Sequence, residues 1–314
     1  MTDGFGRTID YLRLSVTDLC NYRCRYCMPE DGVCKKAHGE ICALEELAGM
    51  AEAAVSLGVK KIRITGGEPL VRKGILSLVE RLAALPGLEE LAMTTNGSLL
   101  PELAAPLRQA GLDRLNVSLD TLRPERFSAL TRGGDLGRVL EGLRAAGEAG
   151  FDKLKLNVVL LKGTNDDELA ELAGLAKDRP LSVRFIELMP IGPAAALFPA
   201  AFLPAEAVLA AVPELRPLKT DGVARLYTAP GWQGSVGLIS PMSCDFCESC
   251  SRIRVTADGR LKLCLHAAAE IPLRGLHGEA LRQAMAQGIL GKPERHHLSD
   301  APSRSERQMN EIGG

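Results

Sequence analysis

Along the chain, short β-rich runs alternate with helical stretches. In YLRLSVT (11–17), Leu12, Leu14 and Val16 fall on one face, the two-residue period of a strand. KKIRIT (60–65), LEELAMT (88–94), LDRLNVSL (112–119), KLKLNVVL (153–160) and LSVRFIEL (181–188) read as five more strands. Ala/Leu-rich helical patterns lie between them, near 43–57, 73–85, 101–110, 135–149 and 166–178. Pro101 suits a first helical turn, and Asn165 with Asp166 suits a helix start. Strands separated by helices imply parallel pairing with right-handed crossovers. The units present predict an α/β fold, a partial (βα)6 TIM-type barrel rather than a full eight.

After about residue 190 the pattern changes. PIGPAAALFPAAFLPAEA is rich in Pro and Ala and reads as a connecting segment. Short strand-like pieces follow, then a terminal helix near 279–288 and a polar, extended tail. The expected organisation is a barrel over 1–200, a smaller C-terminal α+β region over 201–300, and a tail over 301–314. A chain of 314 residues can support one large core or a core with a second domain. Its 46% hydrophobic and 25% charged residues are those of a soluble globular protein. The formal net charge of −1 gives no reason to expect nucleic-acid or membrane binding, so an anion site must be a local patch of Arg and Lys. MTDGFGRTID lacks the apolar core of a signal peptide, and no apolar run reaches the roughly 20 residues that span a bilayer. The expected location is cytoplasmic.

Most of the nine cysteines fall into two widely separated groups, and in a cytosolic chain such spacing points to metal ligation rather than disulfides. Cys20, Cys24 and Cys27 form a C-x3-C-x2-C set after the first strand, at the carboxyl end where barrel enzymes place their sites. Thiolates suit iron–sulfur clusters or zinc, but a structural zinc wants four ligands and favours C-x2-C pairs. Three ligands on a four-iron cube leave one iron open to another molecule. Cys247, Cys250 and Cys264 form a second set of three. Here a zinc half-site stays possible if Cys244 supplies a fourth ligand. Cys34 and Cys42 stand outside both sets, and His296-His297 reads as a solvated pair.

The first cysteine set, with Gly66-Gly67-Glu68-Pro69 after the second strand, resembles the radical S-adenosylmethionine superfamily. YLRLSVTDLCNYRCRYCMPEDGV, KKIRITGGEPL, TTNG, LNVSLD, LNVVLLKGTND, RFIELM and FCESCSRIRVTADGRLKLCLH resemble, in order, the GTP 3′,8-cyclase family within it. The terminal Gly313-Gly314 fits the same family. That resemblance implies two 4Fe-4S clusters, the first held by Cys20, Cys24 and Cys27 and the second by Cys247, Cys250 and Cys264. It implies S-adenosylmethionine contacts at Tyr26, Gly67, Ser118 and Met189. It implies GTP contacts at Arg13, Arg63, Thr94, Lys155, Arg184, Arg252 and Arg254. Arg252, Arg254, Gly313 and Gly314 would serve catalysis, the two glycines by threading the tail into the site.

The implied reaction begins with a 5′-deoxyadenosyl radical that removes the ribose C3′ hydrogen of GTP. The resulting carbon radical attacks C8 of the guanine, which the open iron of the second cluster holds. The resemblance further implies a homodimer, a reductant protein as electron source, and transfer of product to cyclic pyranopterin monophosphate synthase. Cys244 reads as a bystander, because the family's first ligand follows the phenylalanine, here Phe246. Burying strand Arg and Lys among apolar neighbours is costly unless something like a triphosphate neutralises them. No GxxxxGK[ST] phosphate loop is present. The alternative is a radical S-adenosylmethionine peptide-modifying enzyme with an auxiliary cluster, which would need further C-terminal cysteines and a peptide-binding extension.

Overall fold

The structure, a computed structural model, describes residues 1–33, 37–244, 246–296 and 303–313. Cys34, His297 and Gly314 lie outside the described residues. The six expected strands are present as β1 (Tyr11–Ser15), β2 (Lys61–Thr65), β3 (Glu90–Thr95), β4 (Arg114–Ser118), β5 (Lys155–Leu160) and β6 (Ser182–Glu187). They pair in that order, all parallel. The later strands are β7 (Arg216–Asp221), β8 (Ala224–Thr228), β9 (Ser235–Ile239), β10 (Arg252–Val255), β11 (Arg260–Lys262) and β12 (Ile271–Pro272). Together they make one twelve-stranded sheet of order β12-β11-β10-β1-β2-β3-β4-β5-β6-β9-β8-β7.

β10 lies parallel beside β1, and β9 lies parallel beside β6. The C-terminal region therefore continues the barrel at both edges of its sheet. Antiparallel pairs β10–β11–β12 and β9–β8–β7 finish each end. Among the described residues, no helix is long and apolar enough to cross a membrane.

Strand alternation sorts the side chains into two populations. Leu12, Leu14, Ile62, Ile64, Leu91, Met93, Leu115, Val117, Leu156, Val158, Val183 and Phe185 are buried against the helices in one core. The other face carries Tyr11, Arg13, Arg63, Thr94, Arg114, Asn116, Lys155, Asn157, Arg184, Arg252 and Arg254. Barrel interiors are usually filled by branched apolar side chains. This one is polar and cationic, the first structural sign of a site.

Four local expectations are corrected. The helix Pro124–Thr131 was not foreseen, because only Phe127 and Leu130 break its polar run. Asn165 does not start a helix; that helix begins at Leu169 with Glu168 as its cap residue. Asn165 instead closes the preceding loop, accepting from Leu161 N at 2.9 Å and donating to Asp120 O at 2.7 Å and Val159 O at 2.8 Å. The Pro/Ala-rich connector forms the helices Ala194–Ala201 and Ala207–Ala211, as alanine's helix propensity would favour. The extended tail ends in a short helix, Met309–Ile312.

Candidate active site

Cys20, Cys24 and Cys27 lie on the irregular segment that follows β1, and all three are free thiols. Hydrogen bonds shape this segment. Cys27 N and Met28 N both donate to Cys24 O, at 2.9 and 3.2 Å. Arg23 N and Arg25 N reach Thr131 O and Leu130 O at 3.0 and 2.9 Å, so the unforeseen helix anchors the loop. On the other side Gly67 N donates to Thr17 O at 2.9 Å and Glu68 N to Leu19 O at 2.8 Å. A Cβ on Gly67 would stand 2.4 Å from Leu19 O and 2.7 Å from Asp18 O. Glycine is thus required there for backbone to meet backbone.

Glu68, named in the sequence only as part of the Gly66–Pro69 turn, is a buried organiser. Its carboxylate accepts from Leu70 N at 3.0 Å, Thr95 Oγ1 at 2.8 Å and Asn96 N at 2.7 Å. Asn96 then donates to Asn21 Oδ1 at 2.8 Å and approaches the Cys20 sulfur at 3.9 Å. Tyr22 N donates to that sulfur at 3.3 Å. Burial pushes the Cys20 thiol up to about 11 and the Cys27 thiol up to about 12, and holds Cys24 well above the ordinary thiol range. Neighbouring thiols add to the shift at Cys24 and Cys27. Three free thiols on one short loop, with N–H donors at the Cys20 sulfur, fit the ligand set of an iron–sulfur cluster, whose cationic core would offset the burial that keeps them protonated. Among the described residues no three His, Cys, Asp or Glu side chains are drawn together as a single-ion site. The fit therefore rests on thiol chemistry and on the loop.

Of the other expected S-adenosylmethionine contacts, Tyr26 is part of this loop. The Tyr26 hydroxyl donates to Asp120 Oδ2 at 2.7 Å, while Asp120 Oδ1 accepts from Val159 N at 2.8 Å. Burial pushes Asp120 up to about 6. Ser118 is half-buried at the end of β4, and Met189 is half-buried just beyond β6.

A cavity opens inside the barrel between the two ends of the parallel run. Its lining includes Cys247, Cys250 and Cys264, the strand cations Arg13, Arg63, Arg184, Arg252 and Arg254, and Met189. Arg13 is register partner to both Arg63 and Arg254, so β10, β1 and β2 place three guanidiniums side by side. Arg63 and Arg252 each stand over the Tyr11 ring, at 5.4 and 5.6 Å from its centroid, a cation–π arrangement. The Nε atoms of Arg63 and Arg184 are buried without a hydrogen-bond partner, as is Thr94 Oγ1. Buried donors normally find partners, so these mark a place for a polar ligand. Thr94 and Lys155 do not line the cavity, but register neighbours link them through Asn116, which does.

The second cysteine set is gripped by residues from distant parts of the chain. Arg7 donates to Cys247 O at 2.8 Å and to Glu294 O at 2.7 Å, with Asp3 holding its Nε at 2.7 Å. Buried Lys292 donates to Arg252 O at 2.8 Å and to Leu263 O. Burial raises the Cys250 thiol, but Lys292, the Arg252 N–H, Arg252 and Arg254 outweigh it, and its pKa falls below the ordinary value. A thiol biased toward thiolate and facing a cationic cavity fits a cluster ligand. Cys244 is exposed, does not line the cavity, and lies near Arg225 instead. Cys42 is a core residue, fully buried.

The solvated reading of His296 is corrected. Its ring packs edge-on to His266, centroids 5.0 Å apart, and both line the cavity. Arg7 and Lys292 carried no sequence signal, and Glu68 and His266 stood inside quoted motifs without an assigned role. The tail comes home to the same place. Arg254 Nη1 donates to Gly313 O at 2.7 Å, and Asn310 Nδ2 donates to Asp18 O at 2.9 Å. A Cβ on Gly313 would stand 2.1 Å from Thr65 Oγ1, so only glycine fits.

Comparison with known proteins agrees with this geometry. The Radical SAM superfamily model matches residues 14–176, and the Molybdenum Cofactor Synthesis C model matches residues 181–298. A GTP 3′,8-cyclase of Alkaliphilus metalliredigens is 48% identical over 100% of this chain and 100% of its own length. That of Peptoclostridium acidaminophilum is 50% identical over 100% of this chain and 98% of its own. The crystal structure of Streptococcus suis SuiB bound to S-adenosylmethionine shares the fold, at TM-score 0.56 and 13% identity over 97% of this chain and 75% of that one. The chain belongs to the GTP 3′,8-cyclase family of the radical S-adenosylmethionine superfamily.

Proposed function

We propose that the chain converts GTP to (8S)-3′,8-cyclo-7,8-dihydroguanosine 5′-triphosphate, the first step of molybdenum cofactor biosynthesis. The observation that carries this reading is the single cavity that unites Cys247, Cys250 and Cys264 with a belt of strand arginines. Cys20, Cys24 and Cys27 would hold the first 4Fe-4S cluster, and Tyr26, Gly67, Ser118 and Met189 would seat S-adenosylmethionine beside it. Cys247, Cys250 and Cys264 would hold the second. When bound, the first cluster and S-adenosylmethionine supply the carbon radical that starts the cyclisation.

The protein's own work is binding and orientation. Arg13, Arg63, Thr94, Lys155, Arg184, Arg252 and Arg254 would take the triphosphate and ribose. The buried charges of the arginines and Lys155 become favourable once an anion neutralises them. Ribose C3′ and guanine C8 belong to one molecule, so the cavity's contribution to ring closure is orientation: it holds the nucleotide in the conformation in which these two atoms meet. Gly313, Gly314 and the tail helix would cover the site next to Arg254 and keep water and stray donors from the radical. In this reading 1–200 generates the radical, 201–300 holds the purine and 301–314 closes the site. A homodimer, a reductant protein, a cyclic pyranopterin monophosphate synthase as recipient and a cytoplasmic location go with it. The peptide-modifying alternative gains nothing from the SuiB likeness, which extends to fold alone.

The test is anaerobic. The iron-reconstituted chain is given S-adenosylmethionine, a reductant and GTP, and products are followed by mass spectrometry. 5′-Deoxyadenosine together with a cyclised nucleotide is expected. Deoxyadenosine formed without GTP consumption would reject the substrate.

A further inference from the structure

Asp221 ends β7 and points its carboxylate at the cationic barrel interior. One oxygen, Oδ2, accepts from Lys155 Nζ at 2.7 Å and also from Arg184 Nη2. Both cations are buried, while the Asp221 side chain is 48% exposed. Arg114 also acts on this carboxylate electrostatically, although its own ion-pair partner is Glu90 at 2.6 Å. A single exposed acid thus reaches from outside to neutralise a pair of interior cations.

The element that carries it is built to let go. All six residues of β7 are exposed, so the strand contributes nothing to the apolar core. It is the edge of the sheet, paired only with β8, and its register breaks between Pro217 and Thr220. Asp221 faces Ala224 across a turn in which Gly222 has φ +61°. β7 itself buries no side chain, and apart from the buried Ala224 opposite Asp221 the hairpin tip is held by its ladder bonds and by the Asp221 ion pairs. Because Lys155 and Arg184 are buried, the carboxylate leaves only when another anion takes its place between them, so release is coupled to the arrival of a phosphate.

We infer that Asp221 is an internal competitor for the nucleotide: its carboxylate takes the position a phosphate would take between Lys155 and Arg184, and the nucleotide displaces it and frees the β7–β8 tip. This rests on the assignment of Lys155 and Arg184 to GTP made above. A tethered carboxylate competes at an effective concentration of the order of millimolar or more. Inorganic anions with no other contacts lose to it. A nucleotide triphosphate, with further charge and a base to bind, displaces it. The device keeps the basic interior closed to simple phosphate.

The experiment uses the full cluster-loaded chain and two probes, inorganic tripolyphosphate and GTP, titrated by calorimetry against wild type, Asp221→Asn, Lys155→Ala and Arg184→Ala. Asp221→Asn should bind both probes about five- to tenfold more tightly, a change of about 1–1.4 kcal/mol. In wild type, hydrogen exchange at 219–223 should quicken when GTP binds, a readout that needs no variant. Unchanged or weaker binding in Asp221→Asn, or slower exchange at 219–223, would overturn the competitor and make Asp221 a clamp that aligns the two cations. If Lys155→Ala and Arg184→Ala leave both probes unaffected, the phosphate assignment itself fails and takes the competitor with it. If those two variants weaken binding while Asp221→Asn does not strengthen it, only the competitor fails.

Discussion

At the scale of single residues, the site depends on positions where chemistry and sterics leave one choice. Gly67 is the sharpest. Its added methyl would meet main-chain atoms of Asp18 and Leu19, which cannot swing aside as a side chain could. Overpacking of this kind costs about 1–3 kcal/mol, and here it falls on the segment that leads into Cys20. Gly67→Ala should therefore load only its second cluster, giving about half the wild-type iron per chain, as read by iron analysis and electron paramagnetic resonance. Lys155 supplies a prediction in pH. Burial, with help from Arg184 and Arg114, lowers its pKa to about 8. Above that value the folded protein holds Lys155 mostly neutral, so binding a phosphate there must take up a proton. GTP affinity should weaken as pH rises through about 8, by up to tenfold per pH unit. Lys155→Arg should flatten the profile, because a guanidinium stays charged. Calorimetry between pH 7 and 9 in buffers of different ionisation enthalpy measures both the slope and the proton uptake.

At the scale of elements, the tail shows how a terminus becomes part of a site. Arg307 donates to Glu270 at 2.6 and 2.7 Å and to Asp258 at 3.0 and 2.8 Å, all three largely buried. That clamp fixes the helix Met309–Ile312, whose Asn310 meets Asp18 and whose Gly313 meets Arg254. Arg307→Ala should unseat the tail at a cost of about 3 kcal/mol, the scale of a broken buried pair. Cyclisation should drop by about two orders of magnitude, while the melting temperature falls by only about 5 °C and amides 309–313 lose exchange protection. The clamp was hidden in the sequence, where Arg307, Asp258 and Glu270 are ordinary charges far apart. The parallel strands were legible because each alternates apolar and polar residues, and the cysteine spacings were legible because few other chemistries use them. The strand arginines could be named as candidate GTP contacts through the family resemblance, with which their apolar neighbours are consistent. Asp221, Arg7 and Lys292 could not, since their importance comes from tertiary contacts and no local period marks them. The helix Pro124–Thr131 escaped for the same reason: its value lies in the carbonyls of Leu130 and Thr131 that it lends to the cysteine loop.

At the scale of the whole molecule, the two halves of the chain share one sheet. β1 opens the barrel in sequence but sits inside it in space, with β10 on one side and β2 on the other. β6 likewise needs β9. The helix Gly278–Leu290 packs on the helix Leu44–Ser56, and Leu281, Met285 and Ile289 join the same core as Leu47 and Met50. The boundary between the matched family models, near residue 180, is therefore not a folding boundary. A chain ending at 178 would leave the inner edge of β1 with unpaired N–H and C=O groups along Tyr11–Leu14, and would never make β6. Parallel edges exposed in this way template aggregation. It would also bare the apolar face that the Gly278–Leu290 helix covers, at about 1.5–3 kcal/mol for each large side chain returned to water. The 1–178 fragment should express as aggregate, or as a species lacking a cooperative thermal transition, despite carrying all of Cys20, Cys24 and Cys27. Adding 181–314 in trans should restore solubility only if the two pieces co-purify in equal amounts, because each supplies strands the other must pair. A soluble fragment that melts cooperatively and holds one cluster would instead make the barrel an independent domain to which the second-cluster region is an addition.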